Sequence, residues 1–284
     1  MSGDQLVWID GALRPVDQPN ISHKDRGFLL GDGLFETILA RDGRPVRLER
    51  HLRRLREGLR ILQIDLPRTD EDLSVAIQSA LEANGLIGQA VVRMSVSRGI
   101  ANTRGLPPDP NGRPTLVIDA SEYHGYPASV YEQGWRVGTS TITRNDQSPT
   151  HAFKTLSNLD HVLARLDVME RGLDEALIVN TRLSYVGASS ANLFVAREGR
   201  LVTPPRSEGV LMGTMRGFLL EELLPVLGIP AEEAALSREV LLGADEVLLT
   251  NALLGVAPVV EVDARQIGEG VPGPMARRLR EALS

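Results

Sequence analysis

His151-Ala152-Phe153-Lys154-Thr155-Leu156-Ser157-Asn158 is the stretch on which the reading of this chain turns. Lys154 is one of only two lysines, the other being Lys24, among 31 basic residues that are otherwise all arginine. Genomic bias accounts for the arginines but not for a lysine kept just ahead of a well-marked helix. Guanidinium stays protonated, so arginine cannot replace lysine where an amine must lose its proton and attack a carbonyl. A Schiff-base lysine is the functional reading, and a solvated loop lysine is the alternative. Ser157-Asn-Leu-Asp160 reads as a capping box, with Leu159, Val162, Leu163, Leu166 and Met169 as the buried stripe of the helix and Gly172 as its end.

Working outward, 284 residues suffice for one large domain or two medium ones. A hydrophobic content of 42% with 24% charged residues is that of a soluble globular chain. The net charge of −6, with no basic block among stacking aromatics, argues against a nucleic-acid partner. Zero cysteines exclude disulfides and thiolate chemistry, and the histidines at 23, 51, 124, 151 and 161 lack metal-ligand spacing, so no metal is expected. No Gly-x-Ser-x-Gly elbow is present. The first residues have neither a basic nor an apolar leader pattern, and no apolar run approaches a membrane span. A cytoplasmic protein without membrane contact is the expectation.

Hairpins are predicted at Leu6–Ile9 with Ala12-Leu13 around Asp10-Gly11, and at Leu34–Ala40 with Pro45-Val46-Arg47 around Asp42-Gly43. Leucines at 48, 52, 55, 59 and 62 predict a helix with one buried stripe, and a second helix runs from Asp70 to about Asn84. Strands follow at Ala90–Ser97 and Thr115–Ile118, separated by the Gly/Pro/Asn-rich loop Arg98–Arg113, long enough to be functional. Beyond Ser121–Ala128 the chain alternates. Strands are predicted at 136–142, 175–179, 193–196, 246–250 and 256–262, with helices at 158–171, 214–227, near Ser237, and from Gly273. The expected division is an α+β domain over 1–120, a linker over 121–130, and an α/β domain over 131–284 that carries Lys154.

Three further places could carry chemistry. Gly209–Gly213-Thr-Met-Arg216 opens a helix whose first N–H groups suit an anion, as do those of any helix start. Thr250-Asn251 lies at the carboxyl end of a strand, where it could hold a ligand or cap a turn. Arg98, Arg104 and Arg113 on the long loop could clamp a carboxylate, or could be solvated.

In their order along the chain these segments resemble the fold type IV pyridoxal-phosphate enzymes: branched-chain and D-amino-acid aminotransferases and 4-amino-4-deoxychorismate lyases. The first domain's likeness lies in Gly31-Asp-Gly-Leu-Phe35-Glu36-Thr37, Leu48-Glu-Arg-His51-Leu-Arg-Arg54-Leu55 and Ser97-Arg98-Gly99. The second's lies in Lys154–Asn158, Ser189-Ser190-Ala-Asn192-Leu-Phe194, Gly213–Arg216 and Ala244–Val247 through Asn251-Ala-Leu. The resemblance implies a homodimer, a pyridoxal 5'-phosphate cofactor bound to Lys154 as an aldimine, and Lys154 as the base of a 1,3-proton transfer. It assigns the cofactor's phosphate to Arg54, Gly213, Thr214, Met215, Thr250 and Asn251, and its ring to the run with Gly187, Ser189, Ser190 and Asn192. Phe35, Arg98 and Arg104 fall to the substrate, Phe35 where the aminotransferases often have tyrosine. Gly187 stands where the family places a glutamate on the pyridine nitrogen, which predicts a poorer electron sink and a slower or altered reaction. A transaminase of a small amino acid comes first. Next is the lyase, which releases pyruvate and 4-aminobenzoate and which Asn251–Pro258 resembles; a non-catalytic relative is the remote third.

Overall fold

The computed structural model describes residues 5–18, 21–101 and 105–283. It divides into two units, Met1–Gly125 with Phe153–Asn158, and Tyr126–Ala152 with Leu159–Ser284. The sequence boundaries at 120 and 130 fall near the first crossing. The Lys154 segment, expected in the C-terminal domain, packs instead with the first unit.

That unit is a six-stranded antiparallel sheet in the order β2-β1-β6-β5-β3-β4. Its strands are β1 (Leu6–Ile9), β2 (Ala12–Pro15), β3 (Gly33–Arg41), β4 (Arg44–Pro45), β5 (Ala90–Ser97) and β6 (Thr115–Glu122). Both short hairpins turn as their residues dictate: Asp10, Gly11, Asp42 and Gly43 all have positive φ, as a turn matched to strand twist requires. A short helix α1 (Arg26–Leu30), which the sequence reading passed over, ends at Gly31 and leads into β3. Helix α2 (Leu48–Leu62) buries Leu52, Leu55 and Leu59, and its inner face also carries His51. Helix α3 (Asp70–Ala83) starts from a reciprocal cap between Thr69 and Asp72.

Residues 154–156 lie along β3. The Phe35 N–H donates to the Lys154 carbonyl at 2.8 Å, and the Leu156 N–H to that of Gly33 at 2.9 Å. Gly33 permits this approach, because a Cβ there would fall 2.3 Å from the Val96 oxygen and 2.7 Å from Leu156 Cδ1. Lys154 is thereby tied to the open side of β3, beyond the short pairing with β4, rather than to a free loop.

The second unit is a nine-stranded mixed sheet in the order β12-β11-β10-β13-β14-β7-β8-β9, with β15 paired to β14. The strands are β7 (Trp135–Thr139), β8 (Glu175–Val179), β9 (Tyr185–Ala188), β10 (Asn192–Arg197), β11 (Arg200–Thr203), β12 (Ala231–Glu233), β13 (Glu246–Asn251), β14 (Gly255–Val262) and β15 (Arg265–Gln266). Val247 and Leu249 enter one core and Leu248 another, so β13 is buried on both faces. The helices are α4 (Ala128–Glu132) in the expected linker, α5 (Leu159–Glu170), α6 (Thr214–Phe218), α7 (Leu224–Leu227), α8 (Arg238–Leu242) and α9 (Pro274–Glu281). A π turn at Leu219–Leu223 joins α6 to α7, so the predicted helix over 214–227 is continuous but locally widened.

Helix α5 corrects one expectation. Ala164 and Val168 face the sheet and are buried, whereas Leu159, Val162, Leu163, Leu166 and Met169 are all exposed, Leu159 by 65%. Periodicity identifies an apolar stripe but not what covers it, and small residues let α5 approach β8 closely on its other side.

Candidate active site

In the first unit, Lys154 is surrounded by Glu36 and Phe35 of β3, His51 and Arg54 of α2, and Arg93 of β5. The Glu36 carboxylate is 1% exposed. It accepts from Arg54 Nε at 2.8 Å and Nη2 at 2.6 Å, a two-point contact, and it lies 2.7 Å from His51 Nδ1. Burial alone would raise the Glu36 pKa, but the Arg54 cation and the bonds from His51 and Arg54 outweigh it and bring the value to about 2. Burial also lowers the His51 pKa, against the pull of Glu36. An ionised carboxylate can only accept, so Nδ1 carries the proton of the neutral ring.

The Lys154 amine feels the sum of these charges. Burial first, then the Arg54 cation, push its pKa down; Glu36 opposes them and Arg93 adds to them, leaving a value of about 8. A nucleophilic amine can therefore be drawn at neutral pH from a population that an ordinary lysine would hold almost wholly protonated. Its Nζ lies 4.3 Å from the centroid of the Phe35 ring, and the Arg93 guanidinium carbon lies 3.9 Å from the same centroid. Arg93 was missed in the sequence because it occupies one polar position in the alternation of β5. Arg93 is exposed, and its guanidinium forms no ion pair among the described residues.

The two loop arginines that the resemblance assigns to the substrate, Arg98 and Arg104, fare differently. Arg98 donates from Nε and Nη2 to Asp32 at 2.8 and 3.1 Å, and from Nη1 and Nη2 to the carbonyls of Gln63 and Leu62 at the end of α2. It anchors the loop, and its donors are committed there rather than offered to a substrate. Arg104 lies outside the described residues.

In the second unit the small-residue run forms the end of β9, a turn, and the start of β10. Gly187 has φ +148°, and a Cβ there would lie 3.0 Å from the Ala191 oxygen. Ser189 and Ser190 donate from their hydroxyls to Glu175 of β8, the second of these bonds at 2.6 Å. Sequence reading missed Glu175, although a carboxylate at the head of the apolar run Glu175–Val179 was a signal. Asn192 Nδ2 donates to the Leu211 carbonyl at 2.8 Å, while a Cβ on Gly213 would fall 1.9 Å from Asn192 Oδ1. Only glycine lets the start of α6 pass this close to β10.

Thr250 pairs with Asn192 across β13 and β10, and its buried Oγ1 has no hydrogen-bond partner among the described residues. Thr214 and Met215, both buried, form the first turn of α6 beside it in the fold, next to Gly213. Asn251 is spent on structure: its Nδ2 donates to the Ser190 carbonyl at 3.1 Å and its Oδ1 accepts from the N–H groups of Leu253 and Leu254. An orphaned hydroxyl, a helix start and a glycine that admits close backbone approach are a donor set suited to a phosphate. Among the described residues no cluster of metal-ligating side chains occurs and no helix is long and apolar enough to cross a membrane.

Residues 33–262 match the amino-transferase class IV family. A putative branched-chain-amino-acid aminotransferase of Methanocaldococcus jannaschii is 31% identical, over 97% of this chain and 94% of that protein. A D-alanine aminotransferase of Staphylococcus haemolyticus is 29% identical over 98% of this chain and 96% of its own. Among solved structures, the 4-amino-4-deoxychorismate lyase of Pseudomonas aeruginosa superposes with a TM-score of 0.86 at 33% identity, covering 98% of both chains. Family match, full-length relatives and fold agree, and the chain belongs to the class IV aminotransferases.

Proposed function

We propose that this aminotransferase works with pyridoxal 5'-phosphate held on Lys154 and that it moves the amino group of a small amino acid. The observation that carries the reading is the Lys154 amine, lowered to a pKa of about 8 beside the Glu36–Arg54 pair. Pyridoxal phosphate supplies a carbonyl for an amine to attack and a ring that takes up electrons when a neighbouring carbon loses a proton. Lys154 binds it and then, as a neutral amine, takes and returns that proton. Arg54, held in place by Glu36, gives its charge to the phosphate. In the second unit, Thr214, Met215 and Thr250 offer donors suited to a phosphate, with Thr250 Oγ1 gaining the partner it lacks among the described residues. Gly213 and Asn192 keep the first turn of α6 where its N–H groups can reach an anion, and Asn251 shapes the adjoining turn.

The substrate falls to Phe35, which offers an apolar wall, and to Arg93, whose guanidinium suits a carboxylate. The likeness of this chain to relatives named for branched-chain amino acids and D-alanine supports a small amino acid as donor. A homodimer accounts for the exposed stripe on α5, which water would otherwise cover at a cost.

Gly187 favours a second reading. Without an acid at that position the site resembles less an aminotransferase that must reprotonate the cofactor, and elimination from aminodeoxychorismate makes a smaller demand. Adding single D- and L-amino acids to the cofactor-loaded protein tests the choice. Conversion of the visible band to the pyridoxamine form, by a donor of one hand, supports the aminotransferase reading. Release of pyruvate from aminodeoxychorismate, with no response to amino acids, overturns it in favour of the lyase.

A further inference from the structure

We propose that Glu175 is a positioning residue for the cofactor ring: through the hydroxyls of Ser189 and Ser190 it makes the turn after Gly187 an acceptor for the protonated ring nitrogen of pyridoxal phosphate. The proposal rests on the reading of this chain as a pyridoxal-phosphate enzyme. It starts from a buried charge that nothing above uses. Glu175 heads β8, is 3% exposed, and among the described residues forms no ion pair. A buried carboxylate without a cation is strongly disfavoured unless its lone pairs are met by hydrogen bonds. Here three donors meet them: the Ala176 N–H at 2.7 Å, the Ser189 hydroxyl, and the Ser190 hydroxyl at 2.6 Å.

The direction of these bonds decides what the turn can bind. A serine has one O–H to give, and both serines give it to Glu175. Each oxygen keeps lone pairs that point away from the carboxylate, so a ligand meeting the serines must bring its own hydrogen. A hydroxyl already bonded to an anion is also a stronger acceptor than a free one. A protonated pyridine N–H is such a donor, and the cofactor carries one ring nitrogen. Two further bonds fix the turn in place. Ser189 N–H donates to the Ala176 carbonyl at 2.9 Å, and Asn251 Nδ2 donates to the Ser190 carbonyl at 3.1 Å. An acid at 187 itself would need a side chain on a backbone with φ +148° and a Cβ 3.0 Å from the Ala191 oxygen. The negative charge comes instead from the neighbouring strand, one hydroxyl removed.

The alternative is that Glu175 merely straps the turn. Ring-labelled ¹⁵N pyridoxal phosphate separates the two, with melting temperature and cofactor absorbance recorded alongside. In Glu175→Gln the cofactor stays bound but the ¹⁵N resonance moves toward unprotonated pyridine, and the pH midpoint of that resonance falls by about one unit, a tenfold loss of proton affinity. The double variant Ser189→Ala/Ser190→Ala, which keeps the carboxylate, moves the resonance the same way. An unchanged resonance in cofactor-loaded Glu175→Gln overturns the proposal. Should that variant fail to fold, the double serine variant decides: a shift supports the relay and no shift overturns it. A wild-type protein that shows no cofactor band at all brings down the parent reading, and this proposal with it.

Discussion

Replacing Glu36 with glutamine tests the charge cluster around Lys154 most quantitatively. The carboxylate is buried and is held at about 2 against an ordinary value of 4.5, by the Arg54 cation and by bonds from Arg54 and His51. Because its folded pKa is depressed, the stabilisation is complete above 4.5 and is lost as pH falls toward about 2. At about 1.36 kcal/mol per pH unit, the gap corresponds to roughly 3 kcal/mol at pH 7 and to about half of that at pH 3. The glutamine variant also leaves the Arg54 guanidinium partly desolvated without its counter-charge, a loss that measured buried pairs place at about 3–5 kcal/mol. Urea titrations of wild-type protein and Glu36→Gln at pH 7 and pH 3, free of cofactor, read the difference. A destabilisation near 3 kcal/mol at pH 7 that roughly halves at pH 3 is expected. A difference below about 1 kcal/mol, or one that does not change with pH, refutes the view of Glu36 as an ionised clamp on Arg54.

Other consequences follow from single residues. The cofactor-free protein reacts with pyridoxal phosphate at a rate that climbs through a midpoint near pH 8, where Lys154 loses its proton, rather than at the ordinary lysine value of 10.5. Stopped-flow absorbance from pH 6 to 10 reads it, and a midpoint above 10 contradicts the geometry. Thr250→Val removes a buried hydroxyl that has no partner among the described residues. The cofactor-free protein therefore keeps or gains stability, while the cofactor dissociates about tenfold faster, consistent with the loss of one hydrogen bond to a charged group; equal affinity in both proteins sinks the phosphate assignment. Leu166→Glu charges the exposed stripe of α5; with the proposed dimer interface there, sedimentation is expected to give monomers for the variant and dimers for the wild-type protein. A dimer that persists at micromolar concentration moves the interface elsewhere.

Local chemistry made much of the fold readable. The Asp-Gly turns, the leucine stripe of α2, Ser237 at the start of α8 and Gly273 at the start of α9 each state their element through a short-range rule. The strands β9, β11, β12 and β15 did not show, because they are two to four residues long and their pairing is decided by neighbours distant in sequence. For α5 the period was right and the facing was wrong, since Ala164 and Val168 carry too little hydrophobicity to outvote the leucines on paper. Lys154 was visible through its rarity, but its attachment to β3 through two backbone hydrogen bonds was not. Residues that act by contact, such as Glu36 on Arg54 and Glu175 on the serines, were the least legible. Each lies in a strand as one charge among apolar residues, and only the register places its partners.

The central claim is that Lys154 carries the cofactor, and this chain's two lysines make the test simple. Borohydride reduction of the pyridoxal-phosphate-loaded protein, followed by peptide mass mapping, fixes the attachment site as a stable pyridoxyl group. That group is expected on the peptide containing Lys154 at one per chain, with Lys24 unmodified and no attachment in Lys154→Ala. Stoichiometric label on Lys24, or none on either lysine, contradicts the claim.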